Sequence, residues 1–194
     1  MVTLRTLTFV CLVAVISIRN VAGKCQFSHG NYKLEWAVDK KNVVHFLLTY
    51  RNYPTGANSW TGVAFGEGMM YGLDAIVVRN MNDQISVSDE FVQGYGPSST
   101  DGTQDVKTKS AKLDGGVLKV QFSRPADTPD RQFDLPLSGC KTWQISWHQV
   151  SQQKVQTIVD TFVTSVNHMF GSHTGKHSET PVSKRVCLNQ CSLR

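Results

Sequence analysis

In "VLKVQFS" (117–123), Leu118, Val120 and Phe122 alternate with Val117, Lys119 and Gln121. That is a strand with one face toward a core and the other toward water. Partial alternation of the same period, rich in β-branched and aromatic residues, recurs along the chain. It predicts strands at 32–38, 43–50, 60–66, 74–80, 84–92, 104–113, 117–124, 142–150 and 156–166. Turn chemistry separates them. "NYPTGANS" (52–59), "MND" (81–83), "YGPSSTDG" (95–102), "LDGG" (113–116) and "RPADTPD" (124–130) each carry Gly, Pro, Asn or Asp. About nine strands at this spacing, with no segment of helical period, predict an all-β antiparallel sandwich or barrel.

The first residues follow a different pattern. Arg5 precedes an apolar run from Leu7 to Ile18, and Val21 and Gly23 occupy the −3 and −1 positions of a cleavage site. This reads as a secretory signal peptide over 1–23, leaving 24–194 as one mature domain. The run is short of the roughly 20 apolar residues of a membrane span. Nothing later is apolar enough to cross a bilayer, so the expected product is secreted and extracellular.

The formal charge of +5 falls to +3 once Arg5 and Arg19 leave with the signal. The remaining charges alternate in sign, with no basic run longer than a pair, which argues against nucleic acid as a partner. No Asn-x-Ser/Thr acceptor occurs after residue 23. Cys11 also leaves, so Cys25, Cys140, Cys187 and Cys191 remain, an even number in an oxidising compartment. Four cysteines allow three pairings. The reading favoured here gives Cys25 and Cys140 one each of the C-terminal pair.

Enzyme motifs are absent: no G-x-S-x-G, H-E-x-x-H, Walker A loop or G-x-G-x-x-G after a strand. Asp127, Asp130 and Asp134 beside prolines read as solvated turn residues rather than a glycosidase pair. The chain is therefore not expected to be an enzyme. His173 and His177 stand at the H-x₃-H spacing found in zinc sites, with His168 just before them, but in a stretch with no helix to present them. A different pairing is chemically coherent. Met69 and Met70 sit in "GEGMMYGLD" (66–74), a glycine-rich turn where a core-filling residue is out of place. A methionine and a histidine can hold haem iron as axial ligands without any C-x-x-C-H attachment.

The segments "WTGVAFGEGMMYGLDAIVV", "ISVSDEFVQGYGPSSTDGTQDV" and "GGVLKVQFSRPADTPDRQFDLPLSGCKTWQISW" resemble the DOMON domain family. The specific pieces are W-x-G-x-A-F-G from Trp60, M-x-G-x-D from Met70 to Asp74, and F-S-R-P-x-D-T from Phe122 to Thr128. The resemblance implies an immunoglobulin-like β-sandwich of nine to eleven strands. It also implies one of two functions, because some members are haem b domains of extracellular cytochromes and others bind sugars or proteins without haem.

In the haem-binding members the methionine lies in a G-M-x-G turn, and Met70 falls on that position with Met69 one residue out of register. Their histidine lies in a late polar loop before a short final strand, which implies His173, with His168 and His177 as alternatives. Tyr71, Met169 and Phe170 would then line the haem, with Trp60 or Phe65 as an inner wall. The expected function is haem b binding and one-electron transfer with a separate redox partner or a small-molecule reductant. The alternative is a haem-free module for carbohydrate or protein, in which Tyr71, Tyr95 or Trp147 stack on sugar faces.

Overall fold

The structure is a computed structural model that describes residues 24–56, 58–147 and 180–192. Eleven strands occur among the described residues: β1 (Cys25–His29), β2 (Tyr32–Val38), β3 (Val43–Tyr50), β4 (Ser59–Phe65), β5 (Leu73–Met81), β6 (Gln84–Val92), β7 (Ser99–Thr100), β8 (Lys107–Asp114), β9 (Val117–Pro125), β10 (Cys140–Trp147) and β11 (Val182–Cys187). They form a five-stranded sheet, β1-β2-β3-β9-β8, and a six-stranded sheet, β11-β10-β4-β5-β6-β7. All strand pairs are antiparallel, as expected for an immunoglobulin-like sandwich.

Alternation decides which residues meet between the sheets. In β9, Leu118, Val120 and Phe122 are buried while Lys119 is exposed, as the pattern predicts. Across the ladder Phe46 lies opposite Phe122, and Leu48 opposite both Leu34 and Val120. The six-stranded sheet contributes Val63, Phe65, Ile76, Val78, Trp143 and Ile145 to the same core. Trp143 is its centre: its ring lies 4.9 Å from that of Trp36, 5.0 Å from Phe65 and 5.8 Å from Phe46. Burying each such aromatic contributes about 2–3 kcal/mol from apolar transfer alone.

The turns follow local chemistry. Asn82 (φ 53°) and Asp83 (φ 61°) close the β5–β6 hairpin, and Gly115 (φ 54°) and Gly116 (φ 74°) close β8–β9. Two residues at positive φ give a turn whose twist matches that of the flanking strands. Between β2 and β3, Asp39 Oδ1 accepts the N–H groups of Lys41 (2.8 Å) and Val43 (3.0 Å).

Two strand starts depart by two residues or more from the expected ones. The strand expected over 104–113 begins at Lys107, because Gln104 is drawn onto β6: its Oε1 accepts the Asp89 N–H at 2.9 Å and its Nε2 donates to the Asp89 carbonyl at 2.8 Å. The strand expected over 142–150 starts at Cys140, paired with Cys187, and is described as far as Trp147. The strand expected over 156–166 lies outside the described residues. The short strands β1 and β7 carry little apolar alternation and were not anticipated.

Two disulfides, Cys25–Cys191 and Cys140–Cys187, tie both ends to the body. The favoured reading allowed two of the three pairings, and this is one of those two. Closing loops of 166 and 47 residues restricts the unfolded chain by about 5 and about 4 kcal/mol in the chain-entropy model. No helix among the described residues is long and apolar enough to cross a membrane.

Candidate functional site

The link between β4 and β5 is a tight 3-10 turn, Met69–Tyr71, set between glycines. The Tyr71 N–H donates to the Gly68 carbonyl (3.0 Å) and the Gly72 N–H to the Met69 carbonyl (3.2 Å). That same carbonyl accepts the Gly94 N–H at 2.8 Å, joining this turn to the one after β6. Gly72, at φ 86°, lies under the Phe91 ring, whose nearest atom would be 3.1 Å from a Cβ placed there. A side chain at this position is excluded both by conformation and by space.

The two methionines have opposite environments. Met69 packs on Leu73, Ala75, Val77 and Val92, a second apolar cluster that also takes in Trp60 and Ala64. These residues alternate in sequence with the core residues Val63, Phe65, Ile76 and Val78, so the cluster lies on the outer face of the six-stranded sheet. Gly62 sits between Trp60 and Ala64 on that face, opposite Val77. The cluster is floored largely by small side chains. Met70 is 62 % exposed, Tyr71 85 %, and Tyr95, beyond the joined turn, 84 %.

Beside the cluster on the same face, Arg79 and Glu90 form a buried pair. Arg79 Nη2 donates to Glu90 Oε2 at 2.7 Å, Arg79 Nη1 donates to Oε1, and the Ser88 and Ser98 hydroxyls donate to the same carboxylate. Burial works to raise the Glu90 pKa. The bonds from Arg79, Ser88 and Ser98 outweigh it and hold the group below its ordinary value.

Of the residues expected at a haem site, Met69, Met70 and Tyr71 come together on this turn. Trp60 lies in the adjoining cluster. Phe65 is a correction: it faces the inter-sheet core against Trp143, because its place in the β4 alternation turns it away from Met69's side. His168, Met169, Phe170, His173 and His177 lie outside the described residues. The described histidines, His29 and His45, belong to the other sheet, where His45 Nε2 lies 2.9 Å from Asp39 Oδ2. A groove of about 330 Å³ on that sheet's outer face is lined by His45 with Lys24, Glu35 and Lys109.

Of the three carboxylates expected in solvated turns, one lies elsewhere. Asp127 and Asp130 are turn residues, Asp127 pairing with Arg131. Asp134 is buried instead, its Oδ2 lying 3.3 Å from Arg124 Nη2. Arg124 projects inward from β9, in phase with Leu118, Val120 and Phe122, and its Nη1 donates to both oxygens of Asp74 at 2.8 and 2.6 Å. Asp74 also accepts the Leu135 N–H at 2.7 Å. Asp89 completes the group: one oxygen from each of Asp74, Asp89 and Asp134 lies within 4.8 Å of the others. Burial pushes Asp74 up to about 6 against the pull of Arg124. Burial, with Asp134 adding to it, pushes Asp89 to about 7. The sequence held part of the signal for this cluster, since Arg124 stands at an inward position of the well-alternating β9.

A family model for the DOMON domain matches residues 28–150. Among solved structures, the fold is similar to the cytochrome b domain of pyranose dehydrogenase from Coprinopsis cinerea, with a TM-score of 0.57 and 11 % identity over 88 % of this chain and 86 % of that one. It is similar also to the cytochrome domain of cellobiose dehydrogenase from Myriococcum thermophilum, with a TM-score of 0.56 and 11 % identity over 86 % and 82 %. No curated protein matches the sequence significantly.

Proposed function

The chain belongs to the DOMON domain family, and from that premise we propose that it is a secreted domain that binds haem b and transfers single electrons. The observation that carries this reading is the exposed thioether of Met70, held on a glycine-bounded turn next to an apolar sheet face. The residues present fit the group. Thioether sulfur is an accepted axial ligand of haem iron, and the apolar face beside the turn, with Gly62, Ala64 and Ala75 among its residues, suits an apolar macrocycle. The fold's likeness to two cytochrome domains agrees with it.

In this reading Met70 is one axial ligand and His173 the other, with His168 and His177 as the competing histidines. Bound haem supplies a one-electron redox couple whose potential a Met/His pair raises. The chain's own part is to hold the two ligands, to keep water off the apolar face with Leu73, Val77 and Trp60, and to leave Tyr71 at the surface where a redox partner or small reductant arrives. Residues 1–23 act as the signal peptide and Lys24 begins the mature chain. The two disulfides are consistent with an oxidising, extracellular setting.

The test is haem titration of the secreted chain, followed by absorption in both redox states, beside Met70→Ala and His173→Ala. Expected is a saturable one-to-one complex with sharp six-coordinate bands, lost or broadened in both variants. A wild-type chain with no specific Soret band rejects the reading. A second reading then stands on Tyr71 and Tyr95, both strongly exposed on turns joined through the Met69 carbonyl. Such rings stack on sugar faces. Quenching of intrinsic fluorescence by oligosaccharides, lost in Tyr71→Ala, is its expected signature.

A further inference from the structure

The aspartates between the sheets outnumber their cation. Asp74, Asp89 and Asp134 converge on Arg124, and the guanidinium is committed to Asp74 by two hydrogen bonds and to Asp134 by proximity. A fourth carboxylate, Asp105, enters with the loop after β7 and donates its N–H to Asp89 Oδ2 at 3.2 Å. That loop is fastened to the site, since Gln104 clamps the Asp89 backbone and the Asp101 N–H donates to the Asp89 carbonyl at 3.0 Å. Asp101 is buried as well.

The independent sign of a ligand is a set of unanswered oxygens. Asp89 is 0 % exposed, and its Oδ1 meets no donor. The buried Oδ2 of Asp105 likewise accepts no hydrogen bond, and that of Asp134 has only the Arg124 guanidinium at 3.3 Å. A buried carboxylate oxygen without a donor costs several kcal/mol of lost hydration unless a proton or a cation answers it.

We propose that these oxygens bind one calcium ion, with Asp89 and Asp134 as its principal side-chain ligands and Asp74 held in place by Arg124. The chemistry selects this ion. Every donor is a carboxylate oxygen, which suits a hard cation and not zinc or copper. Oxygens sharing one calcium stand at roughly 2.3–2.6 Å from it and so at most about 5 Å apart. The 4.8 Å limit on the Asp74, Asp89 and Asp134 oxygens meets that condition. Magnesium gives up its water reluctantly and is disfavoured in so enclosed a place.

The experiment is thermal unfolding of the haem-free secreted chain, stripped with chelator, with and without calcium chloride. It is run beside Asp89→Asn and Asp134→Asn, with calorimetric titration of calcium into the wild type. At a hundredfold excess over Kd, calcium raises the wild-type midpoint by roughly 5–10 °C. Magnesium raises it less, and neither variant responds. In chelator Asp89→Asn melts no lower than wild type, because it removes a buried unanswered charge. No shift and no heat in the wild type up to about 10 mM calcium overturns the proposal, since that exceeds the affinity range of extracellular sites. So does a shift that both variants retain. If neither variant folds, the titration decides: one saturable site upholds the proposal and none rejects it. Because haem is absent throughout, the result is independent of the haem reading.

Discussion

Met69 and Met70 are neighbours with opposite surroundings, one packed on an apolar cluster and the other largely in water. The sequence marked the pair as unusual but offered no means of dividing it, because a 3-10 turn carries no periodicity from which to read a side-chain direction. Arg79 and Glu90 were equally hard to read, since charges on a strand's outer face usually meet solvent. Here Trp60 and the apolar cluster stand beside them, and only the assembled sheet brings Ser88 and Ser98 onto the carboxylate. Glu90→Gln removes the charge that answers Arg79 in a buried place and should cost about 3 kcal/mol near neutral pH. The pH dependence has a definite sign. The folded pKa of Glu90 lies below its ordinary value of 4.5, so its contribution is complete above that pH and is lost as pH falls below it. Urea midpoints of wild type and variant should therefore differ most above pH 5 and converge toward pH 3.

Strands with one wet face were legible in the sequence to within a residue or two. Thus β2, β3 and β6 match their expected bounds, and β9 extends one residue further, because side-chain alternation and pleat share one period. β5 is different: Leu73 to Asn80 are all buried, so the run "AIVV" marks a strand covered on both faces and does not reveal which residues face the core. Its pairing with β4 settles that, and also explains Gly62. A Cβ there would lie 2.4 Å from the Ile76 carbonyl oxygen, so the two strands approach as closely as they do only because residue 62 has no side chain. Gly62→Ala should part β4 from β5 at the centre of the six-stranded sheet. The expected loss is about 2–4 kcal/mol in equilibrium urea unfolding, the range of overpacking and strain in a well-packed interior. An unchanged midpoint would mean that the sheet relaxes freely at this point. The short β1 and β7 stayed hidden because neither is long enough to show a period: β1 offers only Cys25 and Phe27 to the core, and β7 is two exposed residues.

For the whole molecule, the sandwich followed from strand count and turn spacing, and the cysteine count implied two bridges without fixing their partners. What the sequence could not supply was the meeting of distant positions. Arg124 with Asp74, and Asp89 with Asp105, are separated by 50 and 16 residues and meet only once β5, β6, β9 and the loop after β7 are in place. The clearest large-scale feature is the return of the chain to its start: Cys25 is bonded to Cys191, and Val38 forms a parallel bridge with Ser192. The covalent graph from Cys25 to Cys191 is thus a closed ring with a smaller ring, Cys140 to Cys187, inside it. A single protease cut anywhere between residues 25 and 191 opens a ring without releasing a fragment. Nicked molecules should run as one intact mass on a non-reducing gel and separate into two pieces only after thiol treatment. Two pieces appearing without thiol would contradict the bridges. A protein wired in this way survives its first cut, and reduction, rather than cleavage, is what takes it apart.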